Sequence, residues 1–132
     1  MANIQRFEDI DAWKTARELT RVIYEVSSIG EFARDFTLRG QIRRAGISVM
    51  GNIAEGFERG GDGEFKQFLS VAKGSAGEVK SHLYVALDAK FVSQSQFDWM
   101  YSTADQASRI LGGFISYLKQ SDLRGHKFDH DK

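Results

Sequence analysis

The chain has 132 residues, 42% of them hydrophobic, with neither cysteine nor proline and with 18 basic side chains against 18 acidic ones. That length suits one domain and excludes two ordinary ones, while the absence of cysteine excludes thiol catalysis, thiolate zinc sites and disulfides. Balanced charge excludes a global attraction to nucleic acid or anionic lipid, so any such contact must come from a local patch.

An average chain of this length would hold about 6 or 7 prolines, so their absence points to long uninterrupted helices. Met1 to Phe7 has no apolar signal core, and no run approaches the ~18 apolar residues that span a bilayer. A cytoplasmic protein without membrane contact is expected.

The first predicted helix runs from about Asp9 to Ser28, with the apolar seam Ala12, Ala16, Leu19, Ile23 and Val26 at helical spacing, and Gly30 closes it. The second, about Thr37 to Phe57, has the seam Leu38, Ile42, Ala45, Val49, Asn52 and Gly56, polar at one position. Glycines 60, 61 and 63 then suit a tight reversal, with Asp62 placed to cap the next helix. No strand precedes them and no Gly-Lys-Ser/Thr follows, so they read as a turn rather than a phosphate loop.

The third helix, about Glu64 to Ala89, carries Phe65, Leu69, Ala72, Ala76, Val79, Leu83 and Ala86. The fourth, about Gln94 to Lys119, opens with Ser93 and Gln96 as a capping box and with Val92 and Phe97 placed as a hydrophobic staple. Its seam is Phe97, Met100, Ala104, Ala107, Leu111, Phe114 and Leu118. These elements predict an all-α single domain, an antiparallel up-down-up-down four-helix bundle over residues 1–120, followed by a polar, flexible tail over 121–132.

Trp99, Tyr101, Ile110, Ile115 and Tyr117 lie off the seam of the last helix, and Tyr84 and Phe57 lie off theirs. A second buried surface between copies of the chain is the expectation, aided by glycines that permit close helix approach. A monomer with scattered exposed apolar residues is the plain alternative.

Arg43 to Gly56 reads R-R-A-G-I-S-V-M-G-N-I-A-E-G and Glu64 to Glu78 reads E-F-K-Q-F-L-S-V-A-K-G-S-A-G-E. Together with Phe7, Glu8, Asp9, Trp13, Lys14, Ala16 and Arg17, these runs resemble the four-helix-bundle family of bacterial 23S rRNA intervening-sequence proteins. The chain is also distantly similar to the accessory variability determinant of diversity-generating retroelements. Met50 and Gly51 stand where the family often carries proline and serine. The resemblance implies a small bacterial protein with no established enzymatic activity whose relatives close into rings, commonly pentamers. In the distant relative the basic assembly contacts nucleic acid and a protein partner, a reverse transcriptase.

Arg44, Ser48, Asn52 and Glu55 form a polar stripe on the second helix, and an antiparallel third helix would set Arg44 level with Glu78 for a structural ion pair. Glu55, Glu78 and His82 are the alternative, a metal-binding or enzymatic site. Di-metal bundles use Glu-x-x-His pairs, which this chain lacks, so neither metal, cofactor nor catalytic residue is assigned. His126, Asp129, His130 and Asp131 read as solvated tail.

Lys66, Lys73 and Lys80 recur every seven residues, and Arg34, Arg39, Arg43 and Arg44 cluster at the start of the second helix. Weak binding to nucleic-acid phosphates is one reading. A solvated face with pairing to other helices, such as Glu25 to Arg39, is the other.

Overall fold

The computed structural model describes the backbone of residues 4–130 and the side chains of residues 4–121. A 3-10 turn at Phe7–Asp9 leads into α1 (Asp11–Val26), followed by α2 (Gly30–Arg34), α3 (Phe36–Glu58), α4 (Asp62–Asp88) and α5 (Gln94–His130). The described residues contain no strand.

The four long helices form a closed square in which α1 touches α3 and α5, and α4 touches the same two. Facing pairs show that sequence neighbours run antiparallel. Ser48 meets Ser75 while Gly56 approaches Phe68, and Phe65 packs on Phe114 while Tyr84 packs on Phe97. This is the up-down-up-down bundle expected from long seams and short loops.

The seams of α4 and α5 are buried at every predicted position. In α3 the core position falls on Ile53, 0% exposed, and not on half-buried Asn52, whose amide turns back to Ser48 on the same helix. One cluster centres on Leu19, Ile23, Ile42, Leu83 and Met100, and a second on Ile10, Val49, Leu69, Leu111 and Phe114.

Ser93 and Gln96 form the capping box. The Ser93 amide donates to the Gln96 Oε1 at 2.9 Å, and the Gln96 amide donates to the Ser93 Oγ at 3.1 Å. The start of α3 is capped by Asp35, whose Oδ1 accepts from the Leu38 amide at 2.9 Å. Asp62 is itself the first residue of α4, with Gly61 at the cap position, and Gly60 makes the reversal at φ +81°.

Two elements differ from the sequence reading. The link after α1 contains the short helix α2, which sets Phe32, 1% exposed, against Phe91 at 5.3 Å. Burying one phenylalanine contributes roughly 1.5–3 kcal/mol, which offsets part of the entropy lost in ordering a five-residue segment with no periodicity of its own. The backbone of α5 continues past Lys119 to His130, across a stretch with no proline to stop it. The side chains of His126, Asp129 and His130, and all of Asp131, lie outside the described residues.

Candidate functional site

The polar stripe of α3 resolves into a small network and two surface groups. Ser48 and the buried Ser75 share a hydrogen bond of 2.8 Å across α3 and α4, and the Asn52 amide donates to the Ser48 carbonyl at 2.8 Å and to its Oγ at 3.0 Å. Asn52 thus satisfies a polar seam from within its own helix. Arg44 and Glu78 do line one recess of about 170 Å³ with Ser48 and Ser75, as the antiparallel register requires.

They form no ion pair, however, which corrects the expected Arg44–Glu78 bridge. Both side chains are exposed, and hydrated charges gain little from pairing. Glu55 instead pairs at 3.0 Å with Arg59, the residue that follows α3.

Glu55, Glu78 and His82 are not brought together as ligands, and the described residues hold no group of three or more metal-ligating side chains. His82 leaves its Nε2 buried without a hydrogen-bond partner among the described residues.

The lysine stripe lies along the α4–α5 groove and is partly neutralised. Lys80 donates to Asp105 of α5 at 3.1 Å and its ammonium stands 5.4 Å from the Tyr101 ring. Arg109 reaches the other oxygen of the same carboxylate at 3.2 Å. The hydrogen bond from Lys80 holds Asp105 below the usual carboxylate range. Lys66 also has an interaction partner, and Asp62 precedes it by one turn of α4. Lys73 runs its stem over Gly112 and makes no ion pair among the described residues. For Lys80 this is the pairing to another helix that the sequence reading offered beside phosphate binding, with Asp105 as the acid.

Of the arginines, Arg34 is exposed. Arg39 donates to the Ala33 carbonyl at 2.6 Å, and Arg43 donates to the hydroxyls of Ser27 at 2.8 Å and Ser28 at 2.9 Å. The suggested Glu25 to Arg39 pair is not made, because Arg21 holds Glu25 at 2.6 Å.

The surplus apolar residues of α5 divide into two groups. Tyr101 stacks on Phe97 at 5.4 Å and meets Tyr84 edge-on at 5.7 Å, a contact that raises the Tyr84 phenol above its usual pKa. Ile115 packs half-buried against the core. Trp99 and Tyr117 are 44% and 48% exposed, and half-buried Ile110 continues their stripe on the side of α5 away from α4. Ile110 and Tyr117 line a recess of about 400 Å³ with Ile4, Ile10 and Phe114, and Asp9 and Asp11 also border it. No helix among the described residues is long and apolar enough to cross a membrane.

The model of the family described as 23S rRNA-intervening sequence protein matches residues 8–113. No curated protein matches the chain. A crystal structure of a protein with unknown function from the S23 ribosomal protein family, from Bacteroides thetaiotaomicron VPI-5482, superimposes with a TM-score of 0.72. It is 19% identical, over 80% of this chain and 95% of that one. At that identity the likeness establishes the fold.

Proposed function

We propose that this chain, which belongs to the 23S rRNA-intervening sequence protein family, is a non-enzymatic scaffold that assembles with copies of itself into a closed ring and touches nucleic acid weakly once assembled. Five copies is the ring size that its family resemblance suggests. One observation carries the reading: Trp99, Ile110 and Tyr117 run as an apolar stripe along α5 that intrachain packing leaves partly open. Large aromatic residues of this kind anchor interfaces when a partner desolvates them.

Light scattering coupled to size exclusion tests this. The native protein is expected to elute at a multiple of its 14.9 kDa chain mass at micromolar concentration. A double Trp99→Glu, Tyr117→Glu variant should elute as a folded monomer, since a charge buried without a partner at an interface core costs several kcal/mol. A native monomer overturns the proposal.

A further inference from the structure

The charges of α1 and α3 differ in what holds them, and Glu8 and Glu18 border the same recess as Arg17. On α1, Arg21 takes both Glu18, at 2.7 Å, and Glu25, at 2.6 Å, so those acids are spent. Along the edge where α1 meets α3, three guanidiniums are stacked on rings instead. Arg17 lies over Trp13 at 5.7 Å, Arg43 over Tyr24 at 4.4 Å and Arg39 over Phe36 at 4.6 Å. None of the three makes an ion pair among the described residues.

Neutral acceptors hold two of them in place: the Ser27 and Ser28 hydroxyls for Arg43 and the Ala33 carbonyl for Arg39. These contacts orient the guanidiniums and leave their charge uncompensated. The nearby Asp35 accepts from the Leu38 amide as the cap of α3, and Asp9 pairs with Arg6 at 3.7 Å. Glu8, in the recess around Trp13 and Arg17, is outside an ion pair among the described residues.

The stacks form a line. Trp13, Arg17 and Tyr24 share one side of α1 at spacings of four and seven, and antiparallel packing sets Arg43 on Tyr24. At 1.5 Å per residue, Arg17 and Tyr24 are ~10 Å apart along the axis, and Arg39 is ~6 Å from Arg43. Phe36 is 71% exposed and Tyr24 41%, so their rings stay open to a further partner.

We infer that the α1–α3 edge is a track for single-stranded nucleic acid, in which Arg17, Arg39 and Arg43 hold phosphates and bases stack on the Tyr24 and Phe36 rings. Uncompensated cations alternating with open aromatic faces match a ligand that alternates phosphates with flat bases. An acidic protein surface would neutralise the arginines but supply nothing flat for the rings. The inference rests on the nucleic-acid part of the proposed function and places its site on arginines rather than on the lysine stripe.

The test is fluorescence anisotropy of a labelled single-stranded RNA oligonucleotide at two salt concentrations against the full chain. Three variants are compared with it: Arg17→Gln/Arg39→Gln/Arg43→Gln, Lys66→Gln/Lys73→Gln/Lys80→Gln, and Phe36→Ala. The arginine variant is expected to bind about tenfold more weakly or worse, with a log-log salt slope shallower by about 2. The lysine variant should bind nearly as the native chain does. Phe36→Ala should lose about fivefold or more with the salt slope unchanged, because stacking releases no counterions.

Circular dichroism melting checks that each variant folds. If the arginine variant does not, Arg17→Gln alone, whose side chain is held only by its stack on Trp13 among the described residues, should still lower the salt slope by a fraction of a unit to one. Loss of binding in the lysine variant alone overturns the edge and keeps the nucleic-acid reading. No binding by native protein at low salt overturns both. An arginine variant that falls apart into monomers while the native chain ignores RNA makes the edge a contact between copies and overturns the inference.

Discussion

Gly56 of α3 and Phe68 of α4 stand closer than a side chain allows: a Cβ built on Gly56 would lie 2.6 Å from the Phe68 Cβ and 3.0 Å from the Phe65 ring. Gly56 therefore lets the two helices approach closely, next to the Gly60 reversal that joins them. Gly56→Ala must push the helices apart and should cost about 1–3 kcal/mol. For a domain of this size, that is a fall in melting temperature of roughly 3 to 15 °C. Gly51, with nothing within 4 Å, is the control, and Gly51→Ala should raise stability by up to ~1 kcal/mol through helix propensity. Calorimetry on both variants checks the contrast.

Ser48 and Ser75 should behave as one unit. Ser75→Ala leaves Ser48 without its partner across the interface and should cost about 1 kcal/mol, whereas replacing both by alanine should cost less than the sum of the single changes. A double-mutant cycle by urea denaturation reads the coupling, and strict additivity would mean that the 2.8 Å contact contributes nothing.

Glu78→Gln should leave the melting temperature unchanged within about 2 °C. Glu78 and Arg44 are exposed and make no ion pair among the described residues, and such surface changes fall within about 0.5 kcal/mol. A drop of several degrees would mean that the two charges interact in solution.

Much of the fold was legible because helical spacing is redundant: every seam position of α4 and α5 is buried, and the Ser93–Gln96 capping box has the side-chain bonds that its pattern implies. Asn52 shows the limit. The spacing placed it on the seam, but its neighbour Ile53 takes the core and Asn52 satisfies itself on Ser48. Phe32 was missed because a helix of five residues has no periodicity and depends on tertiary burial.

The candidate surfaces were less legible, since the partners of a charge lie on other helices. Lys80 meets Asp105 on the next helix, where no same-helix spacing rule looks, whereas Arg21 takes Glu25 on its own helix, a spacing of four that removes the acid from Arg39. Tyr101 and Ile115 looked surplus because the apolar stripe of α5 is wider than one seam, and both are absorbed by packing within the chain.

Acid stability should depend on Asp105. The Lys80 hydrogen bond lowers its folded-state pKa from the ordinary 3.8, so its contribution is present above the usual aspartate range and is lost as pH falls through the lowered value. Asp105→Asn should flatten that part of the acid limb of a melting-temperature profile. An unchanged profile would mean that Lys80 and Arg109 leave Asp105 unperturbed in solution.

Self-assembly is the claim on which the scaffold reading stands, and native mass spectrometry of the full chain tests it most directly. The expected spectrum is dominated by one closed species at a single integer multiple of 14.9 kDa, five being the size implied by the family resemblance, and it shifts to the single-chain mass in the Trp99→Glu, Tyr117→Glu variant. A native spectrum at the single-chain mass across micromolar concentrations would contradict it, as would assembly that persists unchanged in the variant.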